Sequence, residues 1–278
     1  MIKLKLIGLL ALIGLVPTLS YAQVKITSDI VYGHKDGMAL FYDMFEPEQN
    51  KNGAAIIYMV SGGWFSRWVE PQTRAERFSD FIEAGYTVFA VHHGSAPRYT
   101  VPEAYADVSR AVRHIKLNAS NYGVDADRLG VTGGSAGGHL SLMLGLNSDG
   151  GDPTAEDPVL KTDNEIAVVV AYFPPVDLRA WTGPSERFPA LDFPNELAAG
   201  ISPLLLVDQQ EPPVLLIHGD ADTLVPISHS QRIYAELQTK GVESEFITIE
   251  GGGHGFRAED AVRAGANRIQ WFNKHLLN

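Results

Sequence analysis

The 278-residue sequence contains no cysteine. This excludes a disulfide framework, a thiolate metal site and lipid attachment through sulfur. Positive charge is scarce: 22 Lys and Arg stand against 33 Asp and Glu, for a net charge of −11. So acidic a chain repels a phosphate backbone or an anionic membrane, which sets nucleic acid aside as a partner. Beyond residue 22 there is no long apolar run of membrane-spanning length, no internal repeat and no linker dividing two domains. The expectation is one α/β domain over residues 23–278, large enough to bury a full core.

Residues 1–22 have another character. Lys3 and Lys5 precede LIGLLALIGLVPTL, and Ser20-Tyr21-Ala22 follows. A basic start, a short apolar stretch and a small-x-small ending read as a signal peptide cleaved after Ala22. A retained anchor is the rival, but the run is short for one and Pro17 interrupts it. Export, periplasmic or secreted, is therefore expected, with no membrane attachment once the leader is gone.

The remainder alternates β-rich with helical stretches. A hairpin is predicted near the amino end, turning at Lys35-Asp36-Gly37. Uniformly apolar runs at 54–60, 166–172 and 214–217 read as strands covered on both faces, 86–92 and 128–132 read as further strands, and 245–249 alternates. Helices are predicted over 72–84, 102–118, 139–146, 228–239 and 259–275. This order gives a mostly parallel central sheet with helices on both faces, because parallel neighbours need a crossover.

One junction is unusual. VTGGSAGGHL, residues 131–140, sets a serine among four glycines between a strand and a helix. Gly133-Gly134-Ser135-Ala136-Gly137 is a G-x-S-x-G pattern, in which a strained turn thrusts the hydroxyl out at the sheet edge. The turn also aims the Ala136 N–H, at a helix start, towards the space where an oxyanion would form. In so glycine-rich a chain the pattern alone is weak, and two further signals strengthen it. LLIHGDADTLVP (215–226) ends a strand in a loop with Asp220 and Asp222, and GGGHGF (251–256) places His254 on a flexible loop after another strand. Serine, acid, histidine is the chain order of one hydrolase class. The serine needs a base to take its proton; imidazole serves near neutral pH, and a carboxylate fixes its tautomer. Asp222 is preferred to Asp220 for its reach back over the loop, with Asp177 a distant third. His92, His93, His114, His139 and His218 compete with His254 but lack its setting, and the adjacent His92 and His93 point to opposite faces of a strand, against shared metal ligation. In VSGGWFSRW (60–68), the backbone of Gly62, Gly63 or Trp64 can complete an oxyanion hole with Ala136; a plain tight turn is the alternative.

The motifs GGSAGGHL, HGDADTLVP and GGGHGF, with YGVDADRLGVTG before the serine and ISPLLL…PPVLLIHGD before the acid, resemble the α/β-hydrolase superfamily. The nearest likeness is to carboxylesterases grouped with bacterial feruloyl and acetyl-xylan esterases and with hormone-sensitive-lipase-like enzymes. It covers nearly the whole mature chain. Those relatives usually carry His-Gly-Gly-Gly-Trp where this chain has Val60-Ser61-Gly62-Gly63-Trp64, so the histidine bracing the loop is missing and Ser61 is the candidate replacement. The resemblance implies an α/β-hydrolase fold with a short cap-like insertion at 178–212. It also implies an exported serine carboxylesterase acting on short-chain or aromatic acyl esters, small or carbohydrate-linked, with no metal or organic cofactor. Trp64, Phe65 and Trp181 are candidate pocket residues, with packing as the plainer role for each. The alternatives are a prolyl-oligopeptidase-like peptidase and a catalytically silent binding protein. The acidic loop 148–165 is read as a solvated connection rather than a calcium site.

Overall fold

The computed structural model describes residues 24–278; the leader expected at 1–22 lies outside them. Strands β1 (Val24–Lys35), β2 (Met38–Pro47), β3 (Ala55–Met59), β4 (Thr87–Val91), β5 (Leu129–Gly134), β6 (Val168–Tyr172), β7 (Val214–Gly219) and β8 (Ser244–Ile249) form one sheet in the order β1-β2-β4-β3-β5-β6-β7-β8. β1 and β2 are the predicted hairpin, and β2 runs antiparallel to β4. The other pairs are parallel.

The uniformly apolar runs follow from two cores. Ile57, Phe89, Val131, Val169 and Leu216 enter one; Ile56, Val88, Val170 and Leu215, one position out of phase, enter the other. Helices α1 (Pro71–Ala75) and α2 (Ser79–Glu83), joined by a 3₁₀ turn, cover the second core. The predicted 72–84 helix is thus two short pieces. Helices α3 (Val101–Leu117), α4 (Ala119–Tyr122) and α5 (Ala136–Leu146) follow and contribute to the first core. After them come α6 (Pro158–Lys161), α7 (Ser228–Lys240), which packs on the first core, and α8 (Ala258–Leu276), which closes the second. Every residue of α5 is buried, as a helix apolar all round must be.

The insertion at 178–212 contains no α-helix. It is a chain of short 3₁₀ turns, Pro189–Leu191, Asn195–Leu197, Ala199–Ile201 and Pro203–Leu205. Leu178, Leu191, Phe193 and Ile201 pack into the first core, so this segment is fastened to the body of the domain. The acidic loop 148–165 lies against α3: Arg110 pairs with Asp157, Arg113 with Asp149 and Lys116 with Asp163. Three cations on successive turns of one helix face hold three of its six carboxylates, and no group of metal-ligating side chains occurs among the described residues.

Register places the functional loops together. Tyr58 faces Thr132, Gly134 faces Tyr172, Tyr172 faces Ile217 and Gly219 faces Ile249. The carboxyl ends of β3, β5, β6, β7 and β8 therefore share one rim, where ligand sites of open parallel sheets are found.

Candidate active site

Ser135 sits between β5 and α5 at φ 56°, ψ −121°, a conformation costing a non-glycine residue about 1–3 kcal/mol. The surroundings impose it. The Ser135 N–H donates to the Tyr172 carbonyl at 2.9 Å, and the Ser135 carbonyl accepts from the His139 N–H at 2.9 Å. Two of the glycines then have specific causes. A Cβ on Gly133 would lie 2.6 Å from the Gly137 backbone, so the turn closes only without it. A Cβ on Gly134 would meet the Phe173 ring at 3.0 Å. That ring lies 4.6 Å from the His254 imidazole, centroid to centroid, so a bare Gly134 gives Phe173 room beside His254.

His254 Nδ1 lies 2.7 Å from Asp222 Oδ2. Facing a carboxylate, Nδ1 carries the proton and Nε2 keeps its lone pair. Asp222 is fixed from behind: its Oδ1 accepts the N–H groups of Leu224 at 2.8 Å and Val225 at 3.0 Å. Burial raises the Asp222 pKa, but the hydrogen bond from His254 and the two backbone donors outweigh it and hold the carboxyl below its ordinary value. His218 stands behind the pair, Nε2 2.9 Å from the Val225 carbonyl and 3.3 Å from Asp222 Oδ2, with Nδ1 2.7 Å from Ser230 Oγ. Burial lowers the His218 pKa, so the ring is a neutral brace donating from Nε2.

Asp220 does something else. Its Oδ1 accepts the Gly251 N–H at 2.7 Å and ties the acid loop to the histidine loop. Asp177 is held by Arg179 and Arg232. Ser135 and His254 line the same cavity. Among the described residues neither Ser135 Oγ nor His254 Nε2 has a hydrogen-bond partner, so both are unengaged; in unliganded sites such bonds commonly tighten only around substrate.

Facing them, Gly62-Gly63-Trp64-Phe65 forms a tight turn. Gly62 and Phe65 exchange N–H···O bonds of 3.0 Å, and Gly63 and Trp64 have φ of 59° and 60°, a type I′ geometry. Gly62, expected as an oxyanion donor, is corrected here because the Phe65 carbonyl takes its N–H. The N–H groups of Gly63, Trp64 and Ala136 have no acceptor among the described residues. Trp64 is pinned: its carbonyl accepts the Ala96 N–H at 3.1 Å and its indole N–H points at His139 Nδ1 at 3.4 Å. His139 Nε2 meets the Ile201 carbonyl at 2.8 Å, so this histidine joins the turn, the helix after Ser135 and the 178–212 segment.

The loop's missing histidine has a stand-in. Ser61 Oγ lies 2.9 Å from His93 Nε2, and His93 Nδ1 lies 2.9 Å from the Gly94 carbonyl. Burial lowers the His93 pKa to about 4. The neutral ring donates from Nδ1, and its Nε2 accepts the Ser61 hydroxyl proton. His92 supports the same loop through Ser66 Oγ at 3.2 Å. The sequence reading gave these two histidines no role at the site; their place at the end of an apolar strand facing the glycine loop was the available signal.

The family described as BD-FAE matches residues 42–237. The chain belongs to the BD-FAE family. Among curated relatives, esterase LipQ of Mycobacterium tuberculosis is 27% identical over 252 residues, covering 86% of this chain and 59% of that protein. The chain spans 53–61% of the length of such relatives. Among solved structures, a truncated carbohydrate esterase from gut microbiota superposes with a TM-score of 0.77 at 25% identity, over 94% of this chain and 99% of that one. An acetyl ester-xyloside bifunctional hydrolase from Caldicellulosiruptor lactoaceticus superposes with a TM-score of 0.77 at 22% identity, over 89% and 96%. The fold is the α/β-hydrolase fold.

In this BD-FAE chain, two spaces meet at Ser135. One is a crevice of ≈ 10 Å³, measured as room for the centre of a water-sized group, between Trp64, Pro175, Trp181, Phe188, Leu224 and Val225. By the same measure the other is a groove of ≈ 1560 Å³ containing His254, Phe65 and Phe173 and extending between α1–α2 and α8. Trp64 is buried and Trp181 packs edge-on against His229 at 5.1 Å. Of the three expected pocket residues, Trp64 and Trp181 line the crevice and Phe65 the groove.

Proposed function

We propose that this protein is an exported serine carboxylesterase that removes small acyl groups, acetyl foremost, from bulky alcohols. The observation that carries this reading is the Asp222–His254 pair, its imidazole lone pair unengaged, in one cavity with a strained Ser135. Ser135 Oγ attacks the ester carbonyl as His254 Nε2 takes its proton. The oxyanion is met by the N–H of Ala136 and those of Gly63 and Trp64, and removal of one such donor costs roughly 10²–10³ in kcat. The imidazolium, stabilised by Asp222, then protonates the departing alcohol, and water admitted by the groove hydrolyses the acyl-enzyme with His254 as base. These steps draw only on this chain's side chains and backbone.

The two spaces support the division of substrate. Room for about one water-sized centre is far too little for an aromatic acid, so of the short-chain and aromatic acyl classes the crevice favours the short. The groove has room for a sugar-sized alcohol. The names of LipQ and of the carbohydrate esterase agree with this reading.

A chromogenic acetate ester tests the activity. Turnover abolished in Ser135→Ala and Michaelis behaviour in the parent are expected; no turnover in the parent, or cleavage of prolyl amides in preference to esters, refutes it. Export is checked separately by amino-terminal sequencing of the protein from the periplasm or medium, where Gln23 is the expected first residue.

A further inference from the structure

We propose that the groove beside α1 is an anion-binding subsite for the alcohol half of the substrate, and that this alcohol bears a carboxylate, as a uronic acid residue does. The inference rests on the esterase reading for what is cleaved, and on three arginines for what is recognised. Arg67, Arg74 and Arg77 line the cavity that contains Ser135 and His254. In a chain with eleven more acidic than basic residues, none of the three has a carboxylate within 4 Å among the described residues. The remaining arginine of the groove, Arg268, differs in having a counter-ion: it pairs with Asp80 and lies over the Phe81 ring at 4.1 Å, although its Nε, like that of Arg74, has no partner.

Arg74 is the most telling. It is 9% exposed, its Nε has no partner, and its one hydrogen bond, to the Arg67 carbonyl, is long at 3.4 Å. Burial lowers its pKa while the buried Asp43 acts on it only from beyond ion-pair distance. A guanidinium kept nine-tenths buried without a counter-ion is costly unless a bound anion completes it. Arg77 gives an N–H to Tyr58 OH at 3.0 Å, and Arg67 lies 5.5 Å over the Phe65 ring. Both are thereby oriented towards the groove wall with donors to spare.

The groove also has acids, and their positions decide its polarity. Because β3 and β4 are parallel, with Ala55 beside Thr87, the chain from 60 to 86 descends from the catalytic rim to the opposite edge. Arg67, Arg74 and Arg77 therefore precede Glu83 along a path leading away from Ser135. Of the groove's acids, Glu76 stands among the three cations, Asp80 is taken by Arg268, and Glu83 lies at the remote end. A carboxylate matches the planar guanidinium fork in two parallel hydrogen bonds, and the crevice, with room for about one water-sized centre, leaves no place for it on the acyl side.

The test compares kcat/KM for an acetylated oligosaccharide carrying a uronic acid with that for its neutral parent. Using the ratio cancels any general loss of activity. A ratio of about ten at low salt, shrinking as ionic strength rises, is expected. Arg67→Gln or Arg77→Gln should lower it roughly two- to fivefold and Arg74→Gln about tenfold, while Arg98→Gln, in the loop between β4 and α3 and bonded to the hairpin turn at Asp36, leaves it intact. A ratio near one, a ratio indifferent to all three substitutions, or a preference for a sulfated ester over the uronate overturns the proposal. Should Arg74→Gln fail to fold, the two exposed variants carry the test. Binding of the deacetylated uronate oligosaccharide, followed by calorimetry in parent and variants, reads the subsite without chemistry. A parent that binds it but cleaves no acetate ester refutes the esterase reading and leaves the subsite standing.

Discussion

Replacing Asp222 by asparagine separates the two jobs this carboxylate does. Its Oδ1 accepts the Leu224 and Val225 N–H groups, and its Oδ2 faces His254 Nδ1. An asparagine has one oxygen to offer. Putting the amide nitrogen against the two backbone donors would forfeit both bonds, at about 1–3 kcal/mol each for buried groups, so the oxygen takes the Oδ1 place. The NH₂ group then points at His254 and donates to Nδ1. That forces the ring into the Nε2–H tautomer, which has no lone pair for the Ser135 proton. The expected loss is about 10⁴-fold in kcat, or roughly 5 kcal/mol of transition-state stabilisation, with little change in thermal stability because the backbone anchors remain. Asp222→Ala should lose activity and stability together, since it strips both backbone donors and His254 of their acceptor. Steady-state rates on a chromogenic acetate, beside calorimetric Tm values for both variants, make the comparison. An Asp222→Asn protein within tenfold of the parent in kcat would refute the assignment of Asp222 as the residue that sets the tautomer.

Three further outcomes follow from other parts of the structure. Trp181→Ala or Phe188→Ala opens the crevice beside Ser135, and should shift preference from acetate towards butyrate, each accommodated methylene being worth about 1–3 kcal/mol; kcat/KM across a graded acyl series reads this directly, and an unchanged optimum would mean the acyl group lies elsewhere. Ser61→Ala leaves buried His93 Nε2 without its donor and loosens the turn bearing the Gly63 and Trp64 donors, so kcat should fall about tenfold with KM nearly constant, and Ser61→Thr should restore it. Burial lowers the pKa of His92 to about 3 and those of His93 and His139 to about 4. The unfolded chain binds these protons from near pH 6.5 downward and the folded one does not, so stability is full above that pH and declines as pH falls towards 4, by about 2 kcal/mol per histidine at pH 5. Urea titrations at pH 7.5 and pH 5 should show the midpoint dropping; equal midpoints would mean the rings are protonated in the folded state.

What could be read from the chain and what could not divide along a physical line. Parallel strands covered on both faces tend to be apolar throughout, so β3, β6 and β7 announce themselves as runs, and the alternation with helices fixes the class of sheet. Ser135 and the loops of Asp222 and His254 are legible because tight turns demand glycine, and glycine is visible in a sequence. For the acid, three positions are on offer, and reach favours Asp222 over Asp220. That Asp220 caps Gly251 while Asp222 meets His254 is a matter of loop conformation two residues apart, which no composition encodes. The broken helix at 71–83 escaped because its apolar spacing is the same whether the middle turn is α or 3₁₀.

The supports of the site were hidden for a different reason. Phe173, His218, His93 and Ser61 act through residues far away in the chain, and each looks locally like packing or a turn. Gly134 illustrates the point: within the serine motif it is a free position, yet its missing Cβ is what admits Phe173 beside His254. Three of the buried histidines share this logic. Each carries two ring nitrogens that must both be satisfied, so a neutral histidine under a loop is a rigid two-ended strut. His93 joins Ser61 to Gly94, His139 joins Trp64 to Ile201, and His218 joins Ser230 to Val225. Without a cysteine to staple its rim loops, this chain uses imidazoles in that place, and it follows that the geometry around Ser135 should be more sensitive to acid than the sheet beneath it.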